Sequence, residues 1–140
     1  MSLEKTKQWF EQAVPSPSQD HAIIQLGCHI EEVAEMFESM GAIHIADGLH
    51  SSANQFKRKH KDARVVTRSV NKNSLLDALV DQIVTAVGVG HMMGMDVLGA
   101  LEEVNRSNFS KFEDGKPVFD ANGKIAKGKD YVKPNLEKFV

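Results

Sequence analysis

The sequence predicts an all-α fold, a helical bundle with a small irregular or hairpin-like C-terminal appendage. Three observations carry this. Apolar residues recur at spacings of three and four and seldom alternate with polar ones. Two long stretches, 20–41 and 74–95, each keep one continuous apolar stripe. After Asn108 the periodicity gives way to a segment rich in Gly, Asn and Lys. At 140 residues the chain is the size of one domain, read here as a helical core over about 20–112 and a basic segment over 113–140. An apolar fraction of 41% and a charged fraction of 26% exclude wholesale disorder.

The elements follow in order. Residues 3–13 form a short helix with Trp9 and Phe10 as apolar contacts, ended by Val14-Pro15-Ser16-Pro17-Ser18. Ser18 or Asp20 caps the next helix. Over 20–41, Ile23, Leu26, Gly27, Ile30, Val33, Ala34, Phe37 and Met40 make the stripe, and Gly41 closes the helix. Ile43, Ile45, Ala46, Leu49, Ala53 and Phe56 predict a third helix. It runs into Lys57-Arg58-Lys59-His60-Lys61 and then a mobile basic connection, with a turn at Asn71-Lys72-Asn73. Ser74 caps the stretch 74–95, with Asp77 in its first turn. Leu76, Leu79, Val80, Ile83, Val84 and Val87 are its apolar face, and Gly88, Gly90 and Gly94 weaken its end. Asp96 caps a last helix from Val97 to Asn105 or beyond. Residues 113–125 read as two short extended pieces around the Asn122-Gly123 turn.

Charge is divided along the chain. Residues 105–140 hold eight Lys/Arg and five Asp/Glu, a net +3, against −2 for the whole. The helices are therefore acidic and the tail basic, and no global field draws the protein to nucleic acid or an anionic membrane. Single Cys28 excludes an intrachain disulfide and any multi-cysteine metal cluster. It reads as a small buried hydrophobe. No run approaches the ~20 apolar residues of a membrane span, and Met1-Ser2-Leu3-Glu4-Lys5 lacks the apolar region of a signal peptide. A cytoplasmic protein is expected.

Chemistry concentrates on two acidic helix faces. Glu32 and Glu35 are three apart and project together, with Glu31 beside Glu35. Asp77 and Asp81 are four apart, and Asp81 sits among Val80, Ile83 and Val84, where partial burial is expected. A buried carboxylate must be paired, protonated or bound to a cation. Antiparallel packing of the two helices would surround one space with hard oxygen donors suited to Mg²⁺ or Mn²⁺. Mg²⁺ is commonly shared with substrate phosphates, so a phosphate-bearing substrate is the natural third party. The plainer reading is a solvated acidic face, with Asp77 as a cap residue.

Glu32-Val33-Ala34-Glu35, followed by an acidic helix, resembles the all-α nucleoside triphosphate pyrophosphohydrolases: MazG, the dimeric dUTPases and phosphoribosyl-ATP pyrophosphohydrolase. That pattern is Glu-x-x-Glu on one helix and Glu-x-x-Asp on the next. Asp81 matches the final Asp. Ala78 stands where the second Glu is expected, and Asp77 takes its place, as in phage-like members. The gap between the motifs is longer than the pattern expects, the extra length falling in 42–73. The block Asn105-Arg106-Ser107-Asn108-Phe109-Ser110-Lys111, then Gly115-Lys116-Pro117, Asn122-Gly123-Lys124-Ile125, Lys127-Gly128 and Tyr131 to Pro134, is similar to the C-terminal block of those members. The resemblance spans roughly 23–135.

It implies a cytoplasmic, Mg²⁺-dependent hydrolase that converts a nucleoside triphosphate to the monophosphate and pyrophosphate, in nucleotide-pool house-cleaning. The implied metal ligands are Glu32, Glu35, Asp77 and Asp81, with Glu31 or Glu35 as general base for a water attacking the α-phosphorus. Lys111, Lys124 and Lys127 would meet phosphates, Asn105 and Asn108 would hydrogen-bond sugar, base or phosphate, and Tyr131 would stack on a base or simply pack. The alternatives for these are solvated lysines and helix-end asparagines. A homodimer or homotetramer is implied, with Ile43, Ile45, Leu49, Met92 and Met95 at interfaces. None of the six histidines pairs at clean metal-ligand spacing. Two rival functions stand beside this one: phosphoribosyl-ATP hydrolysis, and a non-catalytic helical interaction module using Lys57–Lys61. For that basic segment a solvated loop ranks first, a substrate or subunit contact second and nucleic acid third.

Overall fold

A computed structural model describes residues 2–140. The fold is all-α. The helices are α1 (Ser2–Ala13), α2 (Gln19–Ser39), α3 (Ile43–Lys57), α4 (Lys61–Arg68), α5 (Lys72–Met92) and α6 (Val97–Phe109), with a 3-10 turn at Glu137–Phe139. There is no strand among the described residues. The chain divides into two compact units, one of residues 2–15, 71–118 and 125–140, the other of 16–70 and 119–124.

In the first unit α1 packs on α6. Trp9 stacks on Phe112 with ring centroids 5.6 Å apart, and Phe109 meets Phe112 edge-on at 6.0 Å. Ala13, Val14 and Ile125 complete this cluster. The indole N–H of Trp9 donates to the Asn108 carbonyl at 2.8 Å, satisfying the one polar atom that burial of the ring would strand. α5 meets α6 at Gly90, where an added Cβ would collide with Val97. Asp96 caps α6 by accepting from the Gly99 amide at 2.9 Å.

Residues 113–126 hold an isolated bridge, Glu113 to Lys116, and a bond from the Ala126 amide to the Val118 carbonyl at 2.7 Å. The expected extended pieces thus stay a hairpin-like loop without strands. Asp120 closes its tip by accepting from the amides of Asn122 and Lys124.

In the second unit α2 and α3 form a helical hairpin. Ser18 caps α2 in a capping box completed by His21 rather than a glutamate. Gly41, with φ +77°, makes the turn into α3. Ile23 is fully buried, and Gly27 lies against the backbone of Ala53 and Lys57, so the helices approach closely.

Three expectations need correction. The segment after Lys61 is helix α4 rather than a mobile connection: Ala63 is buried and Arg64 anchors the helix to Asp20 at 2.7 Å. α5 is capped by Asn71, which accepts from the Ser74 amide at 3.1 Å, so Asn71-Lys72-Asn73 is a helix start and Ser74 lies inside it. The third concerns hydropathy. α5 is long and apolar enough, by length and composition, to cross a membrane, with a mean hydropathy of 1.3 over its best window. The scattered Gly, Asp77 and Asp81 hide this in a count of consecutive apolar residues. One such helix is weak evidence for a span, and each aspartate at mid-bilayer would cost about 3 kcal/mol.

Candidate functional site

Glu31, Glu32 and Glu35 lie on α2 in the second unit, Asp77 and Asp81 on α5 in the first. Glu32 and Glu35 are exposed, one turn apart. Glu31 is different. Its two carboxylate oxygens accept from Lys57 Nζ at 2.6 Å and Lys124 Nζ at 3.1 Å. Burial pushes its carboxyl up, but the two ammoniums outweigh that and hold it below its ordinary value. Lys124 is the complement: burial draws its ammonium down, and the bond to Glu31 leaves it above its ordinary value.

Asp77 and Asp81 are both exposed, so the partial burial expected for Asp81 does not hold in the chain by itself. The cause is the state of α5. Leu76 is 63% exposed and Val84 62%, and Gly90 is the helix's buried residue. Among the described residues no three His, Cys, Asp or Glu side chains are grouped as a metal site. Each acidic helix carries a pair of hard oxygen donors, and a pair is what Mg²⁺ commonly takes from protein, the rest of its octahedron being water and phosphate. The chemistry of the donors therefore suits the ion.

The C-terminal block is distributed differently. Asn105 is 2% exposed. Its side-chain amide donates to the Ser2 carbonyl at 2.7 Å and its side-chain oxygen accepts from Thr6 Oγ1 at 2.9 Å, so it ties α1 to α6. Asn108 is half-buried, its carbonyl held by Trp9. Lys111 lies over the Trp9 ring at 5.7 Å, and Lys127 over Tyr131 at 5.0 Å. Cys28 is half-buried, and burial pushes its thiol up, as for a packing residue. Of the proposed interface residues, Ile43, Ile45, Met92 and Met95 are exposed and Leu49 is half-buried.

Sequence reasoning missed one feature. In the second unit a cleft of about 740 Å³ opens between the start of α2 (Ser18, Asp20, His21, Ile24), the end of α3 (Lys57, Arg58, Lys59) and the tip Asp120–Gly123. The basic run and the Asn-Gly turn were each visible in sequence. No local pattern joins residues more than sixty positions apart. Comparison with protein-family models, with curated proteins and with solved structures finds no match to this chain.

Proposed function

We propose that the protein is a Mg²⁺-dependent nucleoside triphosphate pyrophosphohydrolase of the MazG kind, acting in nucleotide-pool house-cleaning and assembled as a homodimer or homotetramer. The observation that supports it best is the pairing of exposed carboxylates one helical turn apart, Glu32 with Glu35 on α2 and Asp77 with Asp81 on α5. Mn²⁺ has the same ligand chemistry and would substitute.

The metal, when bound, neutralises triphosphate charge and acidifies a water. Glu32, Glu35, Asp77 and Asp81 are its ligands in this reading. Of the two candidate bases, Glu31 is held by two ammoniums and its proton affinity is lowered. Glu35 is therefore assigned to take the proton from the water that attacks the α-phosphorus, with pyrophosphate leaving. Lys111 and Lys127, each over an aromatic ring, supply positive charge for the phosphates. Asn105 is committed to α1 and is left out of substrate contact. The open apolar face of α5 supports assembly, because covering it removes a contiguous patch from water.

The test is pyrophosphate release from a panel of normal and modified nucleoside triphosphates, with phosphoribosyl-ATP included, in Mg²⁺ and in EDTA. Metal-dependent release that falls at least about 100-fold in Glu35→Gln and in Asp81→Asn is expected. Release from phosphoribosyl-ATP alone moves the assignment to that substrate. No release by folded protein from any compound, or release indifferent to both substitutions, overturns the proposal.

A further inference from the structure

The cleft of the second unit carries more positive charge than its own carboxylates neutralise. Asp20 accepts from Arg64 Nη1 at 2.7 Å and from Lys59 Nζ at 3.4 Å. Glu31 likewise accepts from Lys57 and Lys124. Two carboxylates thus each hold two cations. Of these, Lys57, Lys59 and Asp20 line the cleft; Arg58 adds a third lining cation, and Asp120 a second lining carboxylate whose Oδ1 is spent on two backbone amides. On the lining, three cations thus face two carboxylates, an excess of one positive charge. α2 begins in the same cleft, and although its capping box uses the Ser18 and His21 amides, its 21-residue dipole favours an anion there.

The end of α3 sets where the third of these cations lies. Lys59 sits at φ +54°, in the left-handed region where glycine or asparagine is usual. That conformation closes α3, the His60 amide donating to the Gln55 carbonyl at 2.9 Å, and it places a third consecutive cation on the cleft wall. The floor is apolar, Ile24 packed under Gly123, and the lining carries the His21 imidazole but no Phe, Tyr or Trp ring.

We infer that this cleft binds the phosphate group of a small phosphorylated molecule, with Arg58 and Lys59 as its principal contacts. A phosphate monoester is an anion at neutral pH and meets the net positive charge of the lining. Arg58 offers a planar fork for two phosphate oxygens and Lys59 a point charge. The volume suits a nucleotide or sugar phosphate and exceeds what bare phosphate fills. Glu32, Glu35, Asp77 and Asp81 do not line the cleft, so this site stands whether or not the proposed hydrolysis does.

The experiment is a titration of the full chain in EDTA with inorganic phosphate, ribose 5-phosphate, a nucleoside monophosphate and a single-stranded oligonucleotide, read by calorimetry and by backbone amide shifts. EDTA and a Glu35→Gln arm keep the outcome separate from the hydrolase reading. The expected result is shifts at 57–59 and 120–123, with an organic phosphate binding at least about tenfold more tightly than inorganic phosphate. Affinity falls about tenfold or more in Arg58→Ala and in Lys59→Gly. Lys59→Gly also relieves the left-handed backbone, so its melting temperature holds or rises while binding weakens. That pairing separates a binding role from a structural one. Absence of shifts at millimolar ligand, affinity unchanged in both variants, preference for inorganic phosphate, or tighter and steeply salt-dependent binding of the oligonucleotide would each overturn the inference.

Discussion

α2 and α5 are each 21 residues long, and α5 is the more apolar of the two, yet they meet opposite fates. α2 buries Ile23, Ile24, Gly27 and Ala34 against its unit, while α5 leaves Leu76, Val80, Ile83, Val84 and Val87 open. The difference is supplied by the neighbour. α3 follows α2 through a tight turn at Gly41 and offers Ala46 and Ala53, both buried, so two backbones close on each other at Gly27. α5 is followed by Gly94 and the cap Asp96, and its contact with α6 is concentrated at its end, at Gly90 and Val97. Hydrophobicity sets how much a helix gains by being covered. Which helix is covered depends on what the connection brings alongside.

The sharpest way to break this comparison is to charge the open face. Val84→Glu is expected to convert the proposed assembly to monomer in sedimentation at micromolar concentration and to remove any concentration dependence of the melting temperature. A wild-type protein that is monomeric at every concentration and partitions onto phospholipid vesicles would show that lipid, not a second copy, covers α5.

Truncation in the two helices comes next. Ile23→Ala removes fully buried atoms and is expected to cost about 2–5 kcal/mol in urea unfolding. Leu76→Ala, measured in the Val84→Glu background, is expected to stay within about 0.5 kcal/mol. Equal costs would mean that α5 is covered within the single chain.

Glycines give a finer contrast. An added Cβ at Gly27 would lie 2.9 Å from the Ala53 carbonyl oxygen and 2.9 Å from the Lys57 amide nitrogen, so Gly27→Ala should destabilise by about 1–3 kcal/mol. Gly88 has open space around it, and Gly88→Ala should stabilise α5 by about 0.5–1 kcal/mol. A loss at Gly88 in the assembled protein, absent in the Val84→Glu monomer, would locate the partner there.

The smallest effect is acid sensitivity. The carboxyls of Glu31 and Asp20 lie below their ordinary values of 4.5 and 3.8, Glu31 because two ammoniums outweigh its burial and Asp20 through its bond to Arg64. A depressed folded value means that the unfolded chain binds the proton first. Their contribution is complete above those ordinary values and is lost as pH falls below them and through the lowered folded values. Urea midpoints at pH 7 and pH 3 should diverge less in Glu31→Gln than in wild type. An undiminished difference would place the acid sensitivity elsewhere, as at Glu103, lowered to about 2 by Arg106 and the Asn135 amide.

Much of the fold was legible locally. The apolar spacing placed α2, α3 and α5, the Asp96 cap placed α6, and Ser18 and Gly41 marked boundaries where the structure uses them. α4 escaped because its eight residues hold one buried side chain, Ala63, and its anchor is an ion pair to a residue forty-four positions earlier. Of the site residues, the pairing of Glu32 with Glu35 and of Asp77 with Asp81 follows from helical geometry alone. What Asn105, Glu31 and Lys124 do does not. Asn105 has the composition of a polar contact residue, and its burial against α1 depends on residues about a hundred positions away.

By itself, then, the sequence determined the helices, their polar and apolar faces and most of their ends, since those depend on spacings within one or two turns and on caps a few residues long. Only the tertiary structure decided which carboxylates meet cations, which asparagine is buried, and that a basic run and an Asn-Gly turn wall one cleft. Those outcomes rest on contacts between residues far apart in the chain, where no periodicity carries information and only the packing of helices settles who is neighbour to whom.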